Sequence, residues 1–115
     1  MSGQKKSEAR IQQEMVIWFH NTYPEYRGLL FHVPNEGTNS ALRGKIMKAT
    51  GVIAGVSDLI LVFGSTIYCF EVKTDRGRQS PKQATWQELV EEQGIAYFIV
   101  RDVSLFSQIV NTIII

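Results

Sequence analysis

A chain of 115 residues, 44% apolar and 20% charged, has the size and composition of one globular domain able to bury a core without staples. Its net charge of +1 is too small to announce a nucleic-acid partner by itself, and the single cysteine, Cys69, excludes an internal disulfide and reads as a buried apolar residue. No apolar run approaches ~18 residues and no charged-then-apolar leader opens the chain, so neither secretion nor membrane spanning is expected, and a cytoplasmic setting, bacterial or viral-host, fits.

Residues 1–6 are polar and expected to be flexible; 7–115 form a single domain. Ser7 can cap a helix running to about residue 22, with Ile11, Met15, Trp18 and Phe19 on one stripe. Residues 29–33 read as a short strand ended by Pro34, and 38–50 as a weakly amphipathic helix carrying Leu42, Ile46 and Met47 and stopped by Gly51. After the 51–55 loop come two β-rich runs, 58–63 and 67–73, separated by the turn residues Gly64-Ser65-Thr66. A loop at 74–79 leads to Ser80-Pro81-Lys82-Gln83, where Ser at the N-cap, Pro at N1 and Gln at N3 start a helix that ends at Gly94. A strand at 96–101 follows. The last segment, capped by Asp102 or Ser104, carries Leu105, Phe106, Ile109, Val110, Ile113 and Ile114 at helical spacing. The order α-β-α-β-β-α-β-α predicts a three-layer α/β domain whose central mixed sheet holds an antiparallel hairpin and a parallel crossover, flanked by helices.

Asp58 and the run Glu71-Val72-Lys73 stand out in that frame. Alternation puts Glu71 and Lys73 on one face of their strand and Phe70 and Val72 on the other. Glu-x-Lys on a strand is often a solvated face with a weak ion pair. Here the surrounding residues 58–73 are nearly all apolar, as in central strands covered on both sides, where charges are costly unless paired or bound to metal. Two acids and a lysine at one end of a sheet suit Mg²⁺-assisted attack on a phosphodiester. Arg43, Lys45 and Lys48 in one segment, and Lys73, Arg76, Arg78 and Lys82 against only Asp75 in another, flank this acidic centre. Such basic segments neutralise phosphates, or merely keep a surface soluble. His20 and His32 have no further histidine on a following helix to complete a ββα metal site, and read as structural or exposed.

The residues Gly51-Val52-Ile53-Ala54-Gly55-Val56-Ser57-Asp58-Leu59, then Glu71-Val72-Lys73, then Gly77-Arg78-Gln79-Ser80-Pro81-Lys82-Gln83, resemble the virus-type replication-repair nuclease (VRR-NUC) family of the PD-(D/E)xK superfamily, over most of the chain from Glu8 to about Asp102. The family usually has proline where Ser57 stands, a change that removes no chemical group. The resemblance implies a restriction-endonuclease-like fold with Asp58, Glu71 and the backbone carbonyl of Val72 as ligands of Mg²⁺ or Mn²⁺, and Lys73 beside the attacking water. It also implies roles for Gln83, which a capping box with Ser80 would explain equally, and for a first-helix acid. That acid is Glu8, whose charge at a helix N-terminus is a sufficient reason for its presence, with Glu14 in reserve. Asn35, in a polar turn resembling one near the family's active site, is a candidate substrate contact.

The expected function is a metal-dependent DNA endonuclease acting on branched DNA such as Holliday junctions, in viral or mobile-element replication and repair. The branched preference comes from the resemblance and from small size. A non-catalytic DNA-binding subunit of a repair assembly, or a flap- or sequence-specific nuclease, is the alternative. The apolar C-terminal run Ile109, Val110, Ile113, Ile114 and Ile115 suggests a homodimer interface, or a helix that covers its own sheet.

Overall fold

The computed structural model of the protein describes residues 5–34, 45, 46 and 48–115. Helix α1 (Glu8–Thr22) starts where the Ser7 hydroxyl accepts from the Arg10 N–H and buries Ile11, Met15 and Phe19. A 3-10 turn (Pro24–Leu29), unmarked by apolar periodicity, carries the chain into β1 (Leu30–His32). β2 (Leu59–Phe63) and β3 (Thr66–Val72) form the expected hairpin. Its turn is tighter than the sequence reading: Gly64 and Ser65 alone span it, with φ of 61° and 67°. Positive φ at both central residues is what a type I′ hairpin turn requires. Helix α2 (Pro81–Glu92), β4 (Ala96–Val100) and helix α3 (Val103–Ile113) complete the chain.

The sheet order is β1-β2-β3-β4, antiparallel except for the β3–β4 pair that α2 connects as a parallel crossover. Side-chain alternation sorts the two central strands. Leu59, Leu61, Phe70 and Val72 pack with Ile11, Met15, Phe19, Phe106 and Val110 under α1 and α3. Ile60, Cys69 and Tyr97 pack with Trp86 and Val90 under α2. The result is three layers, helix on sheet on helix. Phe19, Phe70 and Phe106 are wholly buried, each contributing about 1.5–3 kcal/mol of transfer free energy.

Helix α3 begins at Asp102, whose carboxylate accepts from the Leu105 N–H. Most of its apolar stripe is used internally: Phe106 and Val110 are buried and Ile109, Ile113 and Ile114 rest against the same core, while Leu105 and Ile115 are exposed. The C-terminal run therefore covers its own sheet, packing into the core beside α1. Of the expected 38–50 helix, residues 45, 46, 48 and 49 are helical and end at Gly51, φ 100°; its start, with Arg43, and the turn with Asn35 lie outside the described residues.

Gly55 has a φ of 90°, and a Cβ there would collide with the Lys82 carbonyl group. That close approach locks the loop before β2 onto the first turn of α2. Gly55→Ala adds backbone strain and a collision with main chain, so a loss of at least ~2 kcal/mol is expected. Urea melts measure it, and a loss no larger than for alanine at Gly28, where nothing lies within 4 Å, would show that the contact yields freely.

Candidate active site

Asp58 ends the loop held by Gly55 and immediately precedes β2. The pairing Leu59↔Phe70 continued by one residue sets Asp58 opposite Glu71, on the face that looks toward α2. The Val72 N–H donates to Asp58 Oδ2 at 2.8 Å, so the carboxylate leans across onto the neighbouring strand. On the other side, the Asp58 carbonyl accepts from the Val33 N–H at 3.0 Å and lies 2.8 Å from His32 Nδ1. Asp58 is therefore fixed at both its backbone and its side chain.

Glu71 is 1% exposed and Lys73, just past the end of β3, 7%. Lys73 Nζ lies 3.6 Å from Glu71 Oε2, and its own N–H is tied to the Val100 carbonyl at 3.0 Å. The same Oε2 accepts from Gln83 Nε2 at 2.8 Å. Of the two readings the sequence left for Gln83, the structure shows the capping box, and beside it a contact to Glu71. The Gln83 Oε1 takes the Ser80 N–H at 2.8 Å, completing the capping box. A carboxamide whose oxygen is spent on the helix start must turn its NH₂ the other way, here onto Glu71.

Glu71 Oε1 is buried with no hydrogen-bond partner among the described residues, an unmet acceptor that costs about 1–3 kcal/mol when nothing satisfies it. Burial first, and then the adjacent Asp58 carboxylate, push the Glu71 carboxyl from 4.5 up to about 8, against the opposing pull of Lys73. Two close carboxylates, one with an unused oxygen, fit a hard divalent cation. Among the described residues no group of three or more His, Cys, Asp or Glu side chains gathers to hold a metal; any further oxygens would come from backbone and water, as Mg²⁺ commonly accepts.

Glu8 is exposed in the first turn of α1, one turn short of the buried stripe, and joins no such group. Glu14 is engaged elsewhere: Lys6 reaches it at 2.9 Å and Arg10 at 3.4 Å, and the hydrogen bond from Lys6 leads in holding its carboxyl below the usual range. Lys45, Lys48, Arg76 and Lys82 are exposed and Arg78 is at the surface, and none forms an ion pair among the described residues. Ser57, in the place of the family's proline, is buried with its hydroxyl 3.3 Å from the Leu59 carbonyl.

Arg101 was not singled out in the sequence. From just beyond β4 its Nη1 donates to the carbonyls of Thr74, at 2.5 Å, Asp75, at 3.3 Å, and Gly77, at 2.8 Å, gathering the loop that leaves Lys73. Gln79, in the next segment, donates to Gln87 at 2.7 Å and to the Tyr97 hydroxyl at 3.2 Å; burial leads in pushing that phenol upward. No local pattern marks an arginine after an apolar strand as a loop anchor.

The VRR-NUC domain family model matches residues 4–103. Among solved structures, a VRR_NUC domain protein superposes with a TM-score of 0.80 at 18% identity, covering 96% of this chain and 90% of that one, a likeness of fold. No curated protein matches the chain.

Proposed function

Because the chain belongs to the VRR-NUC domain family, a nuclease-type branch of the PD-(D/E)xK superfamily, we propose that it is a divalent-metal-dependent endonuclease hydrolysing phosphodiester bonds of branched DNA. The observation that carries this reading is the buried Glu71 carboxylate beside Asp58 and Lys73, with one oxygen held by Gln83 and the other unused. Glu71, Asp58 and the Val72 carbonyl would hold Mg²⁺ or Mn²⁺. When bound, the ion supplies Lewis acidity toward the phosphate and lowers the pKa of a water.

The chain's own groups do the remaining work. Gln83 and Lys73 hold Glu71 Oε2, which leaves Oε1 available to a bound cation. The Lys73 ammonium places positive charge beside the attacking water and the charge that develops on the phosphate oxygens. Lys45, Lys48, Arg76, Arg78 and Lys82 neutralise the flanking backbone, with Arg43 and Asn35 as further contacts in the same reading. A domain this small has little surface for groove readout, which favours recognition by shape. Paired cuts across a symmetric junction need two sites, which a two-fold pair of chains supplies.

Labelled linear, flapped, forked and four-way DNAs, incubated with Mg²⁺, Mn²⁺ or EDTA, test the proposal. Cleavage of branched substrates in metal and none in EDTA is expected. Undiminished cutting in EDTA would defeat the metal mechanism. Binding without cutting under every condition would leave a non-catalytic DNA-binding subunit, and cutting of linear DNA at one sequence would leave a restriction-type enzyme.

A further inference from the structure

We propose that His32 is a positioning residue for the active site, holding Asp58 in place through its ring Nδ1. The inference rests on the metal-nuclease reading given above. β1 is an edge strand of only three residues, and His32 is its last. Its side chain adds a second donor to the one the chain continuing from the strand supplies: Nδ1 lies 2.8 Å from the Asp58 carbonyl, alongside the Val33 N–H at 3.0 Å. A carbonyl oxygen only accepts, so Nδ1 must carry the hydrogen. Two donors thus converge on the backbone of the residue whose carboxylate bridges to Val72.

Without His32, the Asp58 carbonyl would keep, among the described residues, only the Val33 N–H. Asp58 lies outside β2, between the loop braced by Gly55 and the first residue of the ladder. Its carboxylate accepts from the Val72 N–H, so a shift of the Asp58 backbone would carry the carboxylate away from that donor and from Glu71. Groups that orient a metal ligand without touching the metal typically govern affinity by about 10- to 100-fold. His32 stands in that relation to Asp58, from the side of the sheet opposite to Gln83 and Glu71.

The test uses geometry that separates the two ring nitrogens. The side-chain nitrogen of asparagine sits on Cγ, as Nδ1 does, whereas that of glutamine sits one bond farther out, near the place of Nε2. Mn²⁺ affinity is measured by calorimetry on the wild-type chain and on His32→Ala, His32→Gln and His32→Asn, with the unfolding midpoint of each. Alanine and glutamine are expected to weaken Mn²⁺ binding by about 10-fold or more, asparagine to restore most of it, and the midpoints to stay together. Wild-type affinity in the alanine variant, or asparagine no better than alanine, overturns the proposal, as does affinity that simply follows the midpoint through all variants. A wild-type chain that binds no Mn²⁺ defeats the metal-nuclease reading and this inference with it, whereas wild-type binding that the substitutions leave unchanged defeats the role of His32 alone.

Discussion

Asp58→Asn and Glu71→Gln are each expected to lower cleavage by about 10³-fold or more, since each removes a charged ligand from a site whose cation supplies several kcal/mol of barrier reduction. The two substitutions differ in what they do to the fold. In Asp58→Asn the side-chain carbonyl would still accept the Val72 N–H, so stability should change little. Glu71→Gln removes a buried acid whose folded-state value, about 8, lies above its ordinary 4.5. A raised acid contributes stability in full below its unfolded value and loses it as pH climbs through the folded one. In EDTA, the wild type should therefore weaken between these limits by roughly 1.4 kcal/mol per pH unit, while the glutamine variant does not. Urea melts from about pH 5 to about pH 9 check this, and parallel profiles for the two proteins would show that Glu71 ionises in the fold at little cost. Either variant cutting at the wild-type rate would remove that carboxylate from the chemistry.

Lys73→Ala should reduce turnover by ~10²-fold or more with DNA affinity nearly unchanged, because the ammonium acts on charge that appears only as the bond breaks. An ordinary surface ion pair would instead lose about 1 kcal/mol of stability or less and no rate. Lys73 is 7% exposed and its partner 1%, so the pair is not of the surface kind. Single-turnover rates at saturating enzyme isolate the chemical step, and a rate equal to wild type would take Lys73 out of the site.

Much of this arrangement was legible in the residues. Alternation alone separated Glu71 from Phe70 and Val72, and Ser80-Pro81-Lys82-Gln83 announced a capped helix whose third residue looks at the sheet. What escaped was carried by main chain. The hold of His32 on the Asp58 carbonyl, the fit of Gly55 under Lys82 and the grip of Arg101 on the 74–77 loop join a side chain or a glycine to backbone atoms distant in sequence, and backbone atoms leave no mark on composition or period. The isoleucine-rich terminus was ambiguous for another reason. Apolar spacing states that a face will be covered, and is silent about whether the cover comes from the same chain.

The grip of Arg101 also sets the polarity of the loop it holds. In a trans peptide the N–H points opposite to the C=O, and no cis bond occurs among the described residues. With the carbonyls of Thr74, Asp75 and Gly77 drawn inward to one guanidinium, the amide hydrogens of Asp75, Arg76 and Arg78 are turned outward. The inner cation thus orients three peptide dipoles so that their positive ends join the Arg76 and Arg78 side chains on the solvent side. Part of any attraction this rim would exert on an anion is written into its main chain, where no side-chain substitution at Arg76 or Arg78 can erase it.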